Sequence, residues 1–93
     1  MEIWKFPFEI EDCFEIEMPF SAKILTVQYQ GNTPCIWAIV DTGNSRATMK
    51  FRVLGSGHYI NSFDGLEYIG TIQQPDLPLV WHIFEDIKPS LSD

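Results

Sequence analysis

The sequence is short of basic residues, cysteines and long apolar runs, and each shortage excludes a class of function. Six Lys and Arg stand against thirteen Asp and Glu, a formal charge of −7 at pH 7 over 93 residues. Binding along a nucleic-acid backbone needs a basic footprint over much of one face, and an anionic bilayer attracts polybasic segments. No direct nucleic-acid partner and no membrane partner are therefore expected. Apolar stretches run only a few residues, as in Ile36–Val40, where a membrane-spanning helix needs about 20. The opening Met-Glu-Ile-Trp-Lys has no basic n-region followed by an apolar stretch, so no export signal is expected. Without export, Cys13 and Cys35 read as free thiols packed as small hydrophobes. A reactive thiolate needs a basic neighbour, and Cys13 sits among Glu11, Asp12 and Glu15. Two Cys and two His fall at no metal-ligand spacing, so no metal and no cofactor are expected.

What the chain does have is aromatic and β-branched residues in short segments cut by Pro and Gly. Apolar residues make up 45% of it, a globular rather than a disordered composition. Nowhere do twelve uninterrupted residues carry a helical apolar stripe, whereas two-residue alternation recurs. Seven strands are predicted, over Glu2–Phe8, Phe14–Met18, Lys23–Gln30, Cys35–Asp41, Thr48–Leu54, Glu67–Gln73 and Leu79–Glu85. Phe14, Ile16 and Met18 alternate with Glu15 and Glu17, an apolar underside beneath an acidic outer face. Leu25, Val27 and Tyr29 are assigned one face, as are Met49, Phe51 and Val53. Ile36–Val40 is apolar on both faces, as a central strand requires. The expected architecture is all-β: a single small antiparallel sandwich or open barrel of about six or seven strands, with sequential strands mostly neighbours. Residues 1–87 are read as a single β domain and 88–93 as a flexible C-terminal tail.

Candidate functional residues gather in one stretch. Arg46, Lys50 and Arg52 are three of the six basic residues, and Gly55, Ser56, Gly57, His58 and Tyr59 follow them directly. Alternate glycines can turn backbone N–H groups toward an anion, two cations on one strand face can meet a phosphate, and Tyr59 or Trp37 can stack a base. The plain alternative is a solvated basic face beside an ordinary loop, since neither Gly-Lys-Ser/Thr nor a following helix is present. His82, within Val80–Phe84, reads as a hydrogen-bonded core or sheet-face side chain, and Asp41 as a turn initiator before Thr42-Gly43. Neither His has a Ser or Cys partner assignable from spacing, and no acid–base or metal constellation can be assembled, so an enzyme is not expected. Glu9, Glu11, Glu15 and Glu17 form a concentrated negative stripe that would steer a basic protein partner; on an edge strand the same charges simply deter edge pairing. Trp4, Phe6 and Phe8 recur at period two, either as a core face or as a subunit interface, and a homo-oligomer is expected.

A series of short motifs marks the chain from Ile3-Trp4-Lys5-Phe6-Pro7 to His82-Ile83-Phe84-Glu85, through Glu17-Met18-Pro19, Ala22–Gln28, Pro34–Asp41, Phe51-Arg52, Gly55-Ser56-Gly57-His58 and Tyr68-Ile69-Gly70-Thr71. In these the chain resembles a family of short proteins encoded by bacteriophages, prophages and some bacteria. Members usually have Thr where Ser56 stands. The resemblance implies a bacterial host cytoplasm and a stoichiometric binder, of the kind used in counter-defence, with no catalytic residues to carry over. The leading expectation is capture of a small phosphorylated, nucleotide-like ligand. The alternatives are an acidic protein–protein inhibitor that mimics nucleic acid, or a virion assembly component.

Overall fold

The computed structural model describes residues 1–88, and among them the only regular elements are seven strands. They are β1 (Glu2–Pro7), β2 (Cys13–Pro19), β3 (Lys23–Gln30), β4 (Thr33–Val40), β5 (Arg46–Gly55), β6 (Leu66–Gln73) and β7 (Val80–Asp86). All pairings are antiparallel, in a three-stranded sheet ordered β1-β4-β3 and a four-stranded sheet ordered β2-β5-β7-β6. The fold is the all-β sandwich that two-residue alternation predicts. The tail expected at 88–93 lies, apart from Lys88, outside the described residues.

Alternation decides which side chains meet between the sheets. Val27, Ile36, Ala38 and Val40 from the smaller sheet face Met18, Phe51, Val53, Ile72 and Ile83 from the larger one, all buried. β4 is central in its sheet, which explains its near-continuous apolar sequence. Phe8, just past β1, stacks on Phe14 of β2 at 4.3 Å between ring centroids, and Phe14 stacks on Phe51 of β5 at 5.0 Å. This three-ring column ties one sheet to the other, and offset stacking adds to the apolar area it buries. Trp4 and Phe6 pack half-buried against the same core.

Two expectations are corrected. Leu25 does not share the inward face of Val27 and Tyr29: a bulge between Ile24 and Thr26 inserts an extra residue, so Ile24 packs inward and Leu25 is 42% exposed. Sequential strands are also not mostly neighbours. Only β3–β4 and β6–β7 are hairpins; the other connections change sheets or skip a strand. The β3–β4 hairpin is tight, because Gln30 pairs with Thr33 and leaves only Gly31 and Asn32 to turn. Gly31 takes φ 63°, the left-handed conformation a two-residue hairpin needs at that position.

The connection after β5 is long. β5 and β6 both run antiparallel to β7 and are therefore parallel to each other. Gly55 lies opposite Trp81 at one end of β7, and Leu66 opposite Asp86 at the other. Residues 56–65 must return the chain along the length of β7. They do so in the open, with every residue from Ser56 to Asp64 exposed.

Candidate functional site

The outer face of the four-stranded sheet carries most of the side chains able to bind a ligand. Register places them in rows. Cys13, Arg52, Phe84 and Tyr68 lie in line across β2, β5, β7 and β6, and Leu54, His82 and Thr71 form the adjacent row. Phe84 and Tyr68 meet edge to face at 5.6 Å. A polar chain runs beside them: Ser56 Oγ lies 2.9 Å from His82 Nε2, His82 Nδ1 lies 3.0 Å from Thr71 Oγ1, and Thr71 Oγ1 lies 2.5 Å from Tyr68 Oη. A neutral imidazole donates from one nitrogen and accepts at the other, so the chain has a direction, ending in a Ser hydroxyl at one side and a phenol at the other.

Arg52 stands beside this chain on β5. It is half-buried, and its side chain makes no hydrogen bond or ion pair with any other described residue. Its neighbours across the ladder, Cys13 and Phe84, carry no charge. Five N–H donors are thus held on a strand with nothing to receive them. Lys50, two residues back on the same face, lies opposite Glu15 of β2. A groove of about 540 Å³ runs past both cations, with Asp12, Glu15 and Asp86 also on its walls.

The remaining predicted residues divide. Arg46 shares the strand but not the site: six residues at about 3.3 Å each set it ~20 Å from Arg52, and its guanidinium sits 5.1 Å over the Trp4 ring. Gly55, Ser56, Gly57 and His58 form a turn closed by the His58 N–H donating to the Gly55 carbonyl at 3.1 Å, with Gly57 at φ 86°. The Gly55 N–H in turn donates to His58 Nδ1 at 3.1 Å. That donor is consumed inside the loop, so the glycines do not present the paired N–H groups an anion nest requires. Tyr59 is 85% exposed and bonds only Asn61 nearby. Glu9, Glu11, Glu15 and Glu17 are all exposed, the last two on β2, an edge strand. Asp41 accepts the Gly43 N–H on its side chain and the Asn44 N–H on its carbonyl, the turn-initiating role read for it.

Sequence spacing assigns no ligand role to Tyr68, Thr71 or Phe84 and no partner to His82. They are brought together by strand register alone, and no motif spacing announces it. Ser56 with His82 has the distance of a nucleophile and its base, yet a hydroxyl stands where an orienting carboxylate would stabilise an imidazolium. The arrangement is well equipped for hydrogen bonding and poorly equipped for acyl transfer. Among the described residues no group of three or more His, Cys, Asp and Glu is placed to hold a metal ion, and no helix is long and apolar enough to cross a membrane.

No curated protein and no solved structure matches the chain. One family model does, over residues 1–92, described as a domain of unknown function, DUF7352. With all but one residue of the chain inside that match, the protein belongs to this family.

Proposed function

We propose that the protein is a non-enzymatic binding module, of the phage counter-defence kind suggested by its sequence resemblance, that captures a small phosphorylated, nucleotide-like ligand on the outer face of its four-stranded sheet. One observation carries this reading: the half-buried Arg52 guanidinium has no acceptor among the described residues, and it sits beside the Phe84–Tyr68 ring pair. A phosphate would satisfy the guanidinium in bidentate fashion. A planar base would find aromatic surface next to it, and the Ser56–His82–Thr71 chain offers neutral donors and acceptors to its polar edge.

Calorimetric titration at low salt with cyclic and linear nucleotides tests the reading. Binding is expected with at least one of them, weakened about tenfold or more by Arg52→Ala, in keeping with the ~1.5–3 kcal/mol of a charge-assisted hydrogen bond. Arg46→Ala, whose side chain lies on Trp4, should leave the affinity unchanged. Absence of heat with every nucleotide, or equal losses in the two variants, overturns it.

The exposure of Glu9, Glu11, Glu15 and Glu17 favours a second reading, in which the stripe imitates phosphates toward a basic host protein. It is the weaker one, because Glu15 faces Lys50 across the ladder and β2 is an edge that charges protect from pairing. Changing all four to Gln should abolish salt-sensitive capture of a basic partner if this reading holds.

A further inference from the structure

At one end of the sandwich a second cleft, of about 600 Å³, opens between the segment after β1, the β3–β4 hairpin and the β6–β7 turn. That is the size of a small-molecule site. Its polar lining is one carboxylate, Glu9, together with the Tyr29 phenol, the Asn32 and Gln74 amides and the Thr33 hydroxyl; no Lys, Arg or His lines it. We infer that this cleft is a binding site for an alkylammonium group, carried by a free polyamine or by a lysine side chain of a partner.

The walls are built before any ligand arrives. The Phe8 N–H donates to the Pro34 carbonyl at 3.0 Å, and the Phe8 ring is the end member of the column with Phe14 and Phe51. Glu9 therefore leaves from a fixed point. Across the cleft, the Trp81 indole N–H donates to Gln74 Oε1 at 3.2 Å, and the Gln74 N–H donates to the Leu79 carbonyl at 2.8 Å. With its oxygen engaged by the indole, the Gln74 side chain is fixed as part of the wall, and the acceptors left in the cleft are the Glu9 carboxylate, the Asn32 amide oxygen and the Thr33 and Tyr29 hydroxyls. Burial raises the Tyr29 pKa from its ordinary value of 10.0, so the phenol stays a neutral hydroxyl. An ammonium is the group that matches this lining: it donates three hydrogen bonds and neutralises the one carboxylate, while Phe8 and the flanking prolines receive its methylene stem. A phosphate would meet a carboxylate with no compensating cation.

The full chain is titrated calorimetrically with spermidine, N-acetyl-lysine methylamide and glucose at low salt. Heat with an amine and none with glucose is expected, with Glu9→Gln weakening the amine at least tenfold and Arg52→Ala having no effect. Glu11→Gln, a neighbouring carboxylate outside the cleft, separates a site from general attraction to an acidic protein and should change affinity less than twofold. Tighter binding of spermidine than of the lysine derivative identifies a free polyamine as the source, and the reverse order a partner's side chain. No heat with either amine, heat with glucose alone, or equal losses in the Glu9 and Glu11 variants overturns the inference.

Discussion

Glu85 of β7 lies opposite Glu67 of β6 in the ladder, and its carboxyl is pushed above the ordinary 4.5, first by burial and second by the Glu67 charge. An acid whose pKa rises on folding binds its proton more tightly in the native state, so its contribution is fully favourable below pH 4.5 and is lost as pH climbs through the raised value. Glu85→Gln, which removes the charge and keeps the shape, should raise the melting temperature by a few degrees at pH 7 and leave it unchanged near pH 4. Thermal melts at the two pH values check this, and an equal shift at both would assign the effect to packing. Which acid Glu67 meets was not legible in the sequence, because a bulge decides it. Between Tyr68 and Gly70 the register slips by one residue, and without that slip Glu67 would face Asp86 instead of Glu85. The same holds for the outer face of the larger sheet: Arg52 was legible as an outward cation from alternation alone, whereas its row with Phe84 and Tyr68 depends on pairings between strands distant in sequence.

Among the elements, β3 and β6 show what the periodic pattern captures and what it misses. All seven strands were legible between Pro and Gly marks, most of them from alternation and β4 from its continuous apolar run. The closeness of two strands on different sheets was not. Gly70 of β6 faces Val27 of β3 so tightly that an added Cβ would stand 2.9 Å from the Val27 side chain. Glycine is needed there for the approach itself. Gly70→Ala is expected to destabilise the protein by roughly 1–3 kcal/mol, as overpacking does, and urea unfolding measures it. Pairing it with Val27→Ala should recover part of the loss if the clash is the cause.

At the scale of the molecule, periodicity and turn marks placed the chain correctly as a small all-β fold, but strand order was beyond them, since alternation gives each strand a face and no partner. The order has a kinetic corollary. Only two connections are hairpins, so most native pairings close long loops, and folding is expected in the millisecond-to-second range of non-local β proteins, readable by stopped-flow fluorescence. One strand matters most in this respect. β7 bridges β5 and β6 and is the last of the seven to emerge from a translating ribosome. Until residues 80–86 are free of the exit tunnel, β6 has no ladder neighbour and the larger sheet consists of β2 and β5 alone. The nascent chain therefore waits unassembled for its keystone, and a stalled product ending before Val80 should be rapidly degraded by a cell's proteases.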